Sequence, residues 1–322
     1  MEEFGMATSR FARISSLLYF VLCLTQSALL LGQTKELTPK ELIAKHLRSI
    51  GKPEALTAIK ARGMTGKAAV KFIQGGTGTV TDGQFTCVSE GRNLGMKMDF
   101  KDINYPGEYF AYNGKETTVR YMKPGQRSPI ADFIFLNNAI MKEGLLGGIL
   151  SVAWPLLRSP EQFPEMHYKL EQVDNVPFHI LEYGSSKELD NVRVKLYFDG
   201  KTFQHVRTDY SVRIKNDASS QPSLVSGAGQ GSVSQDLATR SKPDARAANS
   251  TIQGNQPDSI YLLTEKFSNF VGVGGLALPQ DYMVEYSFQG QSTFLAQWAV
   301  FIEHWIPSGK SPVDPSFFVA QK

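Results

Sequence analysis

Residues 93–100 read NLGMKMDF, and their alternation decides the architecture. Leu94, Met96, Met98 and Phe100 fall on one side of an extended chain, and Gly95, Lys97, Asp99 and Lys101 on the other. Successive side chains of a strand point to opposite faces, so this is a strand with one apolar and one wet face. Working outward, Met64, Gly66, Ala68, Val70 and Phe72 alternate in the same way with Thr65, Lys67, Ala69 and Lys71, and so do Val192, Val194, Leu196 and Phe198. Asn113-Gly114, Asp199-Gly200 and Gln289-Gly290 stand between strand-like runs, which marks hairpins. Consecutive hairpins give an antiparallel sheet, and the one-sided pattern says that one face is covered. The expected fold is α+β, one domain with about ten antiparallel strands around two or three helices.

Residues 129–157 supply the cover. SPIADFIFLNNAIMKEG (128–144) starts with Ser and Pro at helix-opening positions and carries Ile130, Phe133, Ile134, Ala139 and Ile140 for packing. GLLGGILSVAWPLL (144–157) follows, with no charge and one hydroxyl. It is too short to span a bilayer. Positions 146, 149, 150 and 153 recur at helical spacing, so a helix and turn over the sheet are expected. Leu145, Leu146, Ile149, Leu150 and Trp154 would form one wall of an apolar cavity, and Met96, Met98, Phe100, Leu196 and Phe198 the other. Such stripes are otherwise simple core. Gly147-Gly148 at the centre distinguishes a cover that moves from one that does not.

The chain has 322 residues, 42% hydrophobic and 20% charged, with a formal net charge of +3. So dispersed a charge gives no clustered basic face for nucleic acid. Arg10 and Arg13 precede an apolar run from Ile14, and residues 1–32 are expected to be a secretory signal peptide, a retained membrane anchor being the alternative. Residues 33–322 then form the single domain, exported to a periplasm. Past the signal only Cys87 remains, which excludes an internal disulfide and a cysteine zinc cluster. At the N-terminus of that domain, Thr38-Pro39-Lys40-Glu41 is a capping box before a helix whose apolar face is Leu42, Ile43, Leu47 and Ile50. Residues 215–257 are rich in Ser, Gln, Gly, Ala and Asn and are expected to be a disordered insertion between two strands of one domain.

No catalytic pattern emerges. His46, His167, His179, His205 and His304 share no metal-ligand spacing, and His205 is expected to face solvent. GVGGL at 272–276 reads as a turn. No catalytic residue, metal or cofactor is expected, and the chain is read as a binding protein and not an enzyme.

The order of the segments ARGMTGKAAVKF, NLGMKMDF, PGQRSPIADF, KEGLLGGILSVAWPLL, VKLYFDGKTFQHVRTDY and FSNFVGVGGLALPQDYMVEYSF resembles the bacterial periplasmic lipoprotein-carrier superfamily, which includes the outer-membrane lipoprotein-sorting carrier and receptor. The resemblance covers roughly residues 36–306 outside the insertion, and its phrasing is that of exported proteins of soil bacteria such as acidobacteria. It implies a strongly curved, unclosed half-barrel with helices over the concave face. It also implies lipid or lipoprotein acyl chains as ligand, with envelope proteins and transient membrane contact as further partners. The rival reading is an envelope sensor or scaffold on the same fold.

Overall fold

The computed structural model describes residues 37–158, 165–183, 189, 191–214, 258–290, 292–306 and 315–319. The expected signal segment and the 215–257 insertion lie outside them.

Helix α1 (Pro39–Ile50) opens with the predicted capping box. The Thr38 hydroxyl accepts from the Glu41 amide at 3.2 Å, and the Glu41 carboxylate accepts from the Thr38 amide at 2.8 Å. Leu42, Ile43, His46 and Ile50 are its buried side. The short α2 (Pro53–Ala58) follows and leads into the sheet.

The described strands form one twelve-stranded sheet in which every pairing is antiparallel. They are β1 (Ala61–Gln74), β2 (Gly78–Glu90), β3 (Asn93–Asp99), β4 (Gly107–Tyr112), β5 (Thr117–Val119), β6 (Met166–Val173), β7 (Val176–Tyr183), β8 (Val192–Asp199), β9 (His205–Ile214), β10 (Ser259–Val273), β11 (Leu276–Gln289) and β12 (Thr293–Ile306). Their spatial order runs from β5 back to β1, then β12 back to β6, so β5 and β6 are two free edges and the half-barrel is not closed. Each expected hairpin is present. At Asn113-Gly114 the Asn113 side chain accepts from the amides of Lys115 and Glu116, while Gly114 takes φ 85°. Ile214 pairs with Ser259, so the ends of the 215–257 segment join neighbouring strands of one sheet.

The cover begins with α3 (Pro129–Leu136) and α4 (Ala139–Lys142), one expected helix broken at Asn137-Asn138. α3 packs on β4 and β5, and α1 packs on β11. The expected helix in residues 144–157 is corrected here. The chain instead makes two single 3₁₀ turns, Gly148–Leu150 and Pro155–Leu157. Gly144, Gly147 and Gly148 take φ 75°, 80° and 47°, and left-handed residues of this kind interrupt a right-handed helix.

His205 is a second correction: it is fully buried. β8 and β9 slip register between Tyr197 and Phe198, so that Phe198 faces His205 while Tyr197 faces Arg207. Such a bulge adds one residue and inverts the alternation beyond it. His205 therefore points inward together with Thr208, Tyr210 and Val212.

Candidate functional site

The site is the interface between the concave face and the segment from Ser128 to Leu157. The ten residues expected to wall a cavity are between 0% and 7% exposed and belong to one large packed core cluster. Two cavities lie elsewhere. One of about 260 Å³ sits among α2, the start of β1, the β10–β11 turn and the end of β12. The other, an open groove of about 540 Å³, includes Lys67, Lys266, Met283 and Phe301. None of the ten residues borders either.

Magnitude constrains how such a cover works. Fully burying a large apolar side chain is worth about 1.5–3 kcal/mol. Lifting Leu145, Leu146, Ile149, Leu150 and Trp154 into water would therefore cost on the order of 10 kcal/mol. That matches the whole stability of a typical domain, so the cover does not open alone. It would leave the sheet only if other apolar surface took its place.

What fastens residues 145–152, beyond apolar contact, is a set of polar side chains on the strands that reach the cover's own backbone. Glu265 of β10 accepts from the Gly147 amide at 2.8 Å and from the hydroxyls of Tyr210, at 2.6 Å, and Tyr282. The Tyr210 hydroxyl also lies 3.0 Å from the Leu145 carbonyl oxygen. Arg62 of β1 donates through Nη1 to the Ile149 carbonyl. Ser89 of β2 accepts from the Val152 amide at 3.0 Å. A segment of bare turns leaves its amides and carbonyls without helical partners, and buried backbone groups need some partner. The sheet supplies it.

The start of the cover is held in the same manner. Ser128 caps α3 by accepting from the Ala131 amide, and its hydroxyl donates to buried Glu108 at 2.8 Å. Tyr105 donates to the other oxygen of Glu108 at 2.7 Å. Burial pushes both carboxyl groups up to about 7, against the pull of their hydrogen-bond donors.

Aromatic nitrogens gather at the far end of the cover. The Trp154 ring lies 5.2 Å from His46 and 4.9 Å from His205, and His46 and His205 are 6.2 Å apart. His46 Nδ1 is 2.8 Å from the Phe203 carbonyl oxygen and must carry the proton there, which leaves Nε2 as an acceptor. His46 Nε2, His205 Nδ1 and Trp154 Nε1 are buried without partners. Burial lowers His46 to about 4 and His205 well below its ordinary value, so both rings are neutral. Among the described residues no group of three or more His, Cys, Asp or Glu could hold a metal.

Gly147 marks how this segment differs from a helix. A Cβ there would meet nothing nearer than Met96 Cε at 3.5 Å, so alanine is opposed by the backbone alone, by about 1–2 kcal/mol. At Gly144 a Cβ would sit 2.4 Å from the Ala153 carbonyl oxygen, a steric conflict besides.

The sequence reading missed Arg62, Glu108 and Glu265. Each shares strand parity with apolar neighbours: Arg62 with Met64, Glu108 with Phe110 and Tyr112, Glu265 with Leu263 and Phe267. A charged residue on the apolar phase of a strand was the signal available.

No family model and no curated protein sequence matches the chain. Solved structures do. A LolA superfamily protein from Nitrosomonas europaea aligns over 84% of this chain and 96% of its own, with 10% identity and a TM-score of 0.39. A DUF1329 family protein from Desulfovibrio piger aligns over 87% and 96%, with 11% identity and a TM-score of 0.33. A domain named for outer membrane lipoprotein sorting, from Vibrio parahaemolyticus, aligns over 85% and 97%, with 8% identity and a TM-score of 0.32.

Proposed function

We propose that the protein is a non-enzymatic carrier that holds an acyl chain, of a lipid or a lipoprotein, against the concave face of the half-barrel in place of residues 144–157. The observation that carries this reading is the fastening of the cover. Its turns are irregular, its left-handed glycines permit a large backbone change, and its polar ties to the sheet are single hydrogen bonds to side chains that stay with the strands. An acyl chain offers the sheet the apolar surface that the cover withdraws, which offsets the cost of opening. The same reading places the protein outside the cytoplasm, after removal of residues 1–32. Among the described residues no helix is long and apolar enough to cross a membrane.

Amide hydrogen exchange with and without hexadecanoate tests the displacement. Ligands ordinarily slow exchange near their site. Here the amides of residues 145–153 should exchange faster when hexadecanoate is bound, while those of β10 and β11 stay protected. Unchanged or slower exchange in 145–153 would mean that this stretch is permanent core.

A further inference from the structure

The two edges of the sheet differ. β5 is three residues long and has α3 packed on it. β6 runs for eight residues, and His167, Lys169, Leu170, Glu171 and Gln172 along it are exposed. Leu170 is 61% exposed, a large apolar side chain left in water. An open edge with its row of backbone donors and acceptors is a template for another strand.

The β6–β7 turn decides which backbone groups face that edge. Asp174 and Asn175 make a two-residue turn with φ 52° and 64°, and Val173 pairs with Val176. The pair flanking such a turn exchanges hydrogen bonds, and bonded and non-bonded pairs then alternate along the ladder. Val173, Glu171, Lys169 and His167 therefore bond to β7, whereas Gln172 and Leu170 turn their amides and carbonyls to the edge. Pro177 agrees with this phase. It stands opposite Gln172 with no N–H to give, and its carbonyl accepts from the Gly200 amide on its other side at 3.1 Å.

Charges on an edge strand ordinarily repel a partner. Those of β6 suit one partner, a second β6. Lys169 and Glu171 share one face of the strand, and Leu170 between them lies on the other. About a two-fold axis through Leu170, an antiparallel second copy sets its Glu171 opposite Lys169 and its Lys169 opposite Glu171. The two leucines then meet as a bonded pair, and the charged pairs take the non-bonded positions, where opposed side chains come closest. Moving the axis to Lys169 or to Glu171 opposes like charges, and moving it to residue 168 or 172 leaves both without an opposite charge. Glu171 has no ion pair among the described residues. Lys169 lies 3.0 Å from Glu182, itself 2.9 Å from Lys195, so Glu171 of a second copy extends a row of alternating sign.

We propose that β6 is a self-association edge, at which two copies join their sheets antiparallel about Leu170 and reciprocal Lys169–Glu171 pairs fix the register. Pairing along one strand buries less than the roughly 1,200 Å² at which stable interfaces begin, so the dimer is weak and reversible.

Sedimentation equilibrium of the full chain, at low salt and up to millimolar concentration, tests it. The wild type should dimerise. Lys169→Glu and Glu171→Lys should each weaken dimerisation at least tenfold, because each sets two like-charged pairs across the axis. Both positions are exposed and tolerate the change. An equimolar mixture of the two variants should regain association close to that of the wild type, since every pair is then of opposite sign. Damage to either fold would not give that recovery. A monomeric wild type, single variants that dimerise as it does, or a mixture no stronger than its components would overturn the proposal. Failure of hexadecanoate to displace the cover would leave this result untouched.

Discussion

Glu265→Gln should gain about 3 kcal/mol of stability relative to the wild type as the pH is raised from about 4 to about 8. Burial is the dominant cause of the Glu265 shift from 4.5 to about 7; the Tyr210 and Tyr282 hydroxyls and the Gly147 amide pull the other way and lose. The sign follows from proton counting. Between those two values the folded protein keeps a proton that the unfolded chain has released, so folding is favoured by acid. The contribution is fully present below 4.5 and is lost as the pH rises through about 7. At about 1.4 kcal/mol per pH unit, the gap is worth about 3 kcal/mol. Glutamine does not titrate, and its amide can still accept from Gly147 and Tyr282. Glu108, His46 and His205 titrate in both proteins and cancel in the difference. Urea unfolding of the pair at pH 4.5, 6 and 8 measures it, and a difference that stays constant with pH would show that Glu265 is not the buried acid described.

Trp154→Ala should destabilise the protein by about 3 kcal/mol, whereas Trp154→Phe should be close to neutral. Trp154 is fully buried against His46 and His205, and truncating an aromatic residue in such a place ordinarily costs about 3–5 kcal/mol. The indole nitrogen has no partner, so losing it returns part of that cost, and the lower end is expected. Phenylalanine keeps most of the ring contact and removes the orphaned N–H. Denaturant unfolding separates the two variants. A loss under 1 kcal/mol in Trp154→Ala would mean that the end of the cover is not packed as described.

Where the chain obeys a single period, the fold was legible. The alternations at Met64–Phe72, Leu94–Phe100 and Val192–Phe198, with turns at Asn113-Gly114 and Asp199-Gly200, place strands and hairpins where they are found. The capping box at Thr38 did the same for α1. His205 was misplaced because a bulge at Tyr197–Phe198 shifts the parity, and a period-two argument has no means of seeing an inserted residue. Residues 144–157 are largely buried, as so apolar a run should be, but their expected conformation was wrong. An apolar run with glycines fits helical spacing by composition alone, and what fixes its turns is long-range: Glu265, Tyr210 and Arg62 lie far along the chain from the backbone groups they bind. The polar half of the site was therefore hidden in strand residues that looked out of phase.

Mass spectrometry of lipid extracted from the protein, purified without detergent from its native envelope, tests the central claim most directly. The account predicts acyl chains recovered in near-stoichiometric amount, and depleted when Ile149→Glu places a charge in the apolar wall that would have to be desolvated. Wild-type protein that is folded and yields no acyl material would contradict it.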